Sequence, residues 1–224
     1  IKEGVNTDGI VVAPYGRSGV VIGFVDKAGE RALYVDPGVN NSLSLQEIDL
    51  DYASQADLLH LSSFVGEASF KVQKEVVRAL PDIPVTIDPG MIYARKGLSE
   101  LKPMIKKCLV FFPNEHEIRI LTGKNYIEGS QILLKEGVKI VAVKLGSRGC
   151  YVTDGKEQHI IEPFRVKVVD STGAGDAFCA GFIYGLIKNM TLRECGVLGN
   201  FVASRTLMKM GARNGLPRRD DLPL

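Results

Sequence analysis

The chain has 224 residues, 45% of them hydrophobic, and 28 Lys or Arg against 26 Asp or Glu leave a formal net charge of +2. That length and apolar content suit one sizeable domain, or one domain with a small appendage. Acids and bases are interspersed, so no block of charge points to nucleic acid or an anionic membrane as the partner.

The chain starts at Ile1 and passes into Gly4-Val5-Asn6-Thr7-Asp8, which reads as a connection, with something missing upstream. Residues 9–36 carry short β-rich runs at 9–13, 20–25 and 32–35, and the last two are joined by Asp26-Lys27-Ala28-Gly29-Glu30, a hairpin signal. So small a sheet has little helix to cover it, and it reads as a lid that packs across a cleft or on another subunit. The expected division is a β lid or dimer clasp over residues 1–40 and an α/β domain over 41–224.

From about residue 44, strands alternate with helical patterns. Strands are expected at 58–61, 85–87, 109–112 and 140–145, and helices at 67–80, 98–107, 115–121 and 127–135. The strands are continuous apolar runs, so the fold class is α/β: a mostly parallel sheet with helices on both faces, whose ligands bind at the strand carboxyl ends. Residues 150–153 and 159–161 flank Asp154-Gly155-Lys156 and predict a second hairpin. Residues 166–169 read as a buried strand and 177–187 as a helix apolar on nearly every side. Thr191-Leu192-Arg193-Glu194 has the capping-box spacing that starts a last long helix, running to about residue 209.

Cys108, Cys150, Cys179 and Cys195 show no C-x-x-C spacing and lie in or beside apolar segments, so reduced core thiols are expected. His60, His116 and His159 have no partner at metal-ligand spacing. The longest apolar helix, about eleven residues, falls short of the roughly twenty that span a bilayer, and no signal peptide is seen. The cytoplasm is the expected compartment.

Between the expected strand at 166–169 and the helix that follows lies Asp170-Ser171-Thr172-Gly173-Ala174-Gly175-Asp176. Glycines let backbone approach a ligand closely, and the first amides of a helix have no intrahelical acceptors and favour an anion. The stretch reads as a phosphate cradle with a carboxylate in it, or as a tight turn capped by polar residues. Two other strand ends carry polar groups. Asn114 and Glu117 have capping-box spacing, and an amide and a carboxylate there also suit the water shell of magnesium. Lys144-Leu145-Gly146-Ser147-Arg148-Gly149 is a hairpin loop or a surface for nucleotide phosphates or ribose. A Walker A loop is excluded, because Thr122-Gly123-Lys124-Asn125 lacks the upstream glycine and the final hydroxyl.

Together these residues resemble the ribokinase-like (PfkB-type) family of carbohydrate and nucleoside kinases, along essentially the whole chain. The family's D-[ST]-T-G-A-G-D signature, followed by a small residue and Phe, matches Asp170 to Phe178. Its N-x-x-E motif matches Asn114 and Glu117, and its L-G-x-x-G loop matches Leu145, Gly146 and Gly149. Asn200, Gly211-Ala212 and Leu216-Pro217 are similar to later family positions, and Gly4 to Gly9 to the start of the lid.

The resemblance implies a ribokinase-like three-layer α/β/α fold with a small β lid. It implies a kinase that moves the ATP γ-phosphate to a primary alcohol of a sugar or nucleoside. Asp176 would be the base, and the amides of Gly173, Ala174 and Gly175 the anion hole. Asn114 and Glu117 would position Mg2+. Lys144, Gly146, Ser147, Gly149 and Asn200 would lie near the nucleotide, and Asp170 and Thr172 would border a monovalent cation such as K+. A homodimer through the lid, as in several relatives, is the expected assembly.

The family's early Asp and Gly-Gly pair, which recognise the sugar, have no counterpart, and no Gly-Gly occurs in the chain. A non-catalytic nucleotide-binding or scaffold module is therefore the alternative. Asp88-Pro89-Gly90 resembles a segment of members acting on sugars, sugar acids or nucleosides, and does not choose among them. On its own terms Asp88 starts a turn.

Overall fold

The structure is a computed structural model that describes residues 3–25 and 31–223. It divides into two compact units, Ile1–Val85 and Thr86–Leu224. The boundary expected at residue 40 falls inside the first unit.

In the first unit, β1 (Val20–Val25) and β2 (Arg31–Asp36) pair antiparallel, with Val20 opposite Asp36 and Phe24 opposite Ala32. The predicted tip, 26–30, lies outside the described residues. Residues 9–13 do not form the expected strand. The Ile10 amide closes a turn on the Thr7 carbonyl at 3.1 Å, and Val12 is 83% exposed. Strand propensity is realised only against a partner edge, and among the described residues none pairs with this run.

Asp49 caps α1 (Leu50–Ser54) by accepting from the Tyr52 amide. β3 (Leu59–Ser62) precedes α2 (Glu67–Ala79). Val72, Val76 and Leu80, at helical spacing, bury against Leu45, Ile48 and Leu59 in a small core.

β4 (Val85–Asp88) leads into the second unit, which contains α3 (Gly90–Lys96), α4 (Leu98–Ile105), β5 (Cys108–Phe111), α5 (Glu115–Thr122) and α6 (Tyr126–Glu136). There follow β6 (Ile140–Lys144), β7 (Cys150–Thr153), β8 (Gln158–Ile161), α7 (Ala174–Ile187) and α8 (Leu192–Leu207). The short helix α3 was not expected, because Asp88-Pro89-Gly90 reads as a turn.

The strands from β4 to β8 are neighbours in chain order. β5 and β6 run parallel, with Val110 beside Ile140, whereas β7 is antiparallel to both β6 and β8. Side chains alternate between faces and so build two cores. Val110, Phe112, Ile140, Ala142, Cys150 and Val152 face Phe178, Cys179, Phe182 and Cys195 of α7 and α8. On the opposite face the Tyr151 ring meets Tyr126 of α6, with centroids 5.3 Å apart. The result is a three-layer α/β/α fold.

The two C-terminal helices approach closely because small residues meet. A Cβ on Gly181 would lie 2.8 Å from the Leu198 carbonyl, and one on Gly199 would lie 2.8 Å from the Phe178 ring.

Residues 166–169 do not form the expected buried strand. They run as irregular chain, tied by the Val169 and Asp170 amides to the Leu207 carbonyl, and Val168 is 58% exposed. The apolar run has a different purpose, which the site makes clear.

Candidate active site

α7 opens on Gly173, whose left-handed backbone (φ +79°) is strained for any residue with a side chain, and a Cβ there would lie 2.6 Å from that of Ala212. The Ala174 amide is engaged by the Ser171 carbonyl at 3.3 Å. Asp176 sits in the first helical turn and is exposed.

The carboxyl ends of β4 and β6 place Asp88 and Lys144 beside this helix start. Lys144 Nζ lies 2.5 Å from Asp88 Oδ2, with both side chains largely buried. The same ammonium is 3.6 Å from where a Cβ on Gly175 would stand, hence against the positive end of α7. Burial opposes the Lys144 charge, but Cys179, Asp88 and Glu117 outweigh it and hold the pKa above the usual lysine value.

The Lys144 amide donates to the Pro113 carbonyl at 2.8 Å, which brings Asn114 alongside. Asn114 and Glu117 form the expected capping box: Asn114 Oδ1 accepts from the Glu117 amide at 2.8 Å, and Glu117 Oε2 from the Asn114 amide at 2.7 Å. Burial pushes the Glu117 carboxyl up, against the pull of the Asn114 amide and of Lys144.

Next to these groups lies a cavity of ≈ 520 Å³. Lys144, Gly146, Ser147 and Gly149 line one side, and Ala174 and Gly175 the floor. Phe164, Val166 and Val168 form a wall. The misassigned apolar run is thus explained, because Val166 and Val168 line this cavity and not the core. The wall is braced by α8. Asn200 donates through Nδ2 to the Ile161 and Glu162 carbonyls, both at 3.1 Å, and the Phe164 ring meets Phe201 edge-on with centroids 5.5 Å apart. Gly149, at φ +83°, lets the hairpin loop press on β8, since a Cβ would lie 2.0 Å from the Ile161 carbonyl.

The structure therefore gathers Lys144, Gly146, Ser147, Gly149, Asn200, Ala174 and Gly175 around one cavity. Asp170 and Thr172 close on each other. Asp170 Oδ1 accepts from the Thr172 amide and hydroxyl at 2.9 and 2.7 Å, and Oδ2 from the Gly211 amide at 2.8 Å. Among the described residues, no group of three or more His, Cys, Asp or Glu is placed to hold a metal. The pairing of Asp88 with Lys144 and the Phe164 wall are what sequence reasoning missed. The available signal was that Asp88, like Lys144, ends a strand at the ligand-binding edge of the sheet.

Residues 1–219 match the pfkB family of carbohydrate kinases. The chain belongs to that family. Across 223 residues this pfkB-family chain is 46% identical to an uncharacterized sugar kinase of Archaeoglobus fulgidus, covering 98% of the chain and 88% of that protein. It is 30% identical over 214 residues to an ATP-dependent ribose-1-phosphate kinase of Halopiger xanaduensis, covering 95% of the chain and 69% of that protein. Among solved structures it is similar to ribokinase from Thermotoga maritima, with a TM-score of 0.79 at 27% identity, covering 90% of the chain and 67% of that one. The family assignment makes the chain a carbohydrate or nucleoside kinase. Its cavity sets the apolar Phe164, Val166 and Val168 together with glycines of a loop and of a helix start.

Proposed function

We propose that the chain phosphorylates a primary alcohol of a sugar or nucleoside at the expense of ATP. The observation that supports this is one cavity lined both by Gly146, Ser147 and Gly149 of the hairpin loop and by Ala174 and Gly175 of the helix start, with the exposed Asp176 the next residue along α7. The base rests against Phe164, Val166 and Val168, and the phosphates run along the hairpin loop toward the first-turn amides of α7. The acceptor oxygen bonds to the γ-phosphorus while the bond from that phosphorus to the β,γ-bridging oxygen breaks. The hydroxyl proton passes to Asp176, and ADP is the leaving group. A helix start favours the charged form of Asp176 and makes it a weak base. A loose transition state tolerates this, because the proton need leave only late and orientation matters more than basicity.

Magnesium, when bound, neutralises the phosphate charge. The donor set here, a buried carboxylate and an amide without a cluster of acids, fits an ion that keeps water and phosphate ligands. Asn114 and Glu117 would hold that water shell, and Asp170 and Thr172 would border a monovalent cation.

Asp176→Asn removes the base and keeps the shape. With the best acceptor from a panel of sugars, sugar phosphates, sugar acids and nucleosides, kcat should fall by about 10²–10⁴. MgATP binding measured by calorimetry should be nearly unchanged, and a near-normal rate would sink the assignment.

A further inference from the structure

We propose that Asp88 is a positioning residue for phosphoryl transfer, acting by holding the Lys144 ammonium at the start of α7. The inference rests on the kinase reading and names a residue which that reading does not use.

Asp88 and Lys144 are the last residues of β4 and β6, and β5 lies between those strands. The ion pair therefore spans about 10 Å across the end of β5. The carboxylate is fixed from three elements. The Gly90 amide donates to Oδ1 at 3.2 Å, and Lys144 Nζ and Cys179 Sγ donate to Oδ2 at 2.5 and 3.5 Å. Cys179 stands three residues after Asp176 on α7, so the carboxylate is registered to the helix that carries the base.

The positive end of a helix repels a cation, and burial costs it solvation. Lys144 lacking its counter-ion would turn toward water and leave the cavity floor. Asp88 keeps the ammonium there, next to Gly175, where negative charge accumulates on the phosphoryl oxygens. The partnership also leaves the lysine able to respond, because an arriving phosphate competes with Asp88 for the same ammonium protons. A charge placed this way counts most in the transition state, so its loss should show in kcat more than in KM.

The experiment uses the full-length protein with MgATP and the best acceptor of the panel, or ATP hydrolysis to water when no acceptor is turned over. Asp88→Asn should lower kcat 10- to 100-fold while the KM for ATP stays within about threefold. Lys144→Met should lower kcat by a comparable factor, and the double variant should be no slower than Lys144→Met alone.

Wild-type kcat in Asp88→Asn, or losses that multiply in the double variant, would overturn the role through Lys144. If Asp88→Asn does not fold, the double variant removes both charges together and leaves no orphan ion. Its kcat must then equal that of Lys144→Met, and any further loss counts against the proposal. A wild-type protein with neither transfer nor hydrolysis overturns the kinase reading itself and takes this inference with it, an outcome distinct from an active enzyme indifferent to Asp88.

Discussion

Asn200 shows how one side chain can serve a site without offering its donors to a ligand. Its amide nitrogen is spent on the Ile161 and Glu162 carbonyls, 39 and 38 residues away in sequence. Asn200→Ala leaves both carbonyls short of a donor, a loss of about 1–3 kcal/mol. The melting temperature should fall by several degrees, and the KM for ATP should rise several-fold with kcat nearly constant. Thermal melts and steady-state kinetics check both. Resemblance implied that Asn200 lies near the nucleotide and the residue lines the cavity, yet its role as a brace was not legible, because the bond joins distant parts of the chain. The pairing of Asp88 with Lys144, 56 residues apart, escaped for the same reason. Local pattern reports on neighbours within a turn or two.

At the scale of elements, local chemistry was the readable part. Both capping boxes, Asn114 with Glu117 and Thr191 with Glu194, are realised, since their partners lie three residues apart. Thr191→Ala should cost about 1 kcal/mol, seen as a lower midpoint in urea unfolding, with activity at 25 °C unaffected. The cap serves the 16-residue α8, which packs closely on α7. Residues 166–169 were misread because an apolar run looks alike whether it faces a core or lines an open cavity. Residues 9–13 were misread because propensity cannot reveal whether a partner strand exists. α3 was missed because Pro and Gly at its start read as punctuation.

For the whole molecule, the alternation of strand and helix patterns revealed the three-layer fold, since each layer imprints its own period on the sequence. The β1–β2 ribbon is different. Ile22, Phe24 and Tyr34 are more than half exposed on one face, and Val21 is 58% exposed on the other. A two-stranded ribbon is marginal alone in water. We propose that it is covered by the ribbon of a second copy, which predicts a dimer by sedimentation velocity. Phe24→Asp together with Tyr34→Asp should give a monomer, and a wild-type monomer at micromolar concentration would count against the clasp.

The four buried cysteines have a consequence of another kind. Burial pushes the Cys150 thiol up to about 12 and that of Cys195 to about 11, and raises Cys108 and Cys179 as well. A protonated, shielded thiol is nearly inert to alkylating reagents until its surroundings open. The four sit on β5, β7, α7 and α8, so each labelling rate times the local opening of a different part of the second unit. The protein thus carries four native clocks for its own breathing, one of them three residues along α7 from Asp176.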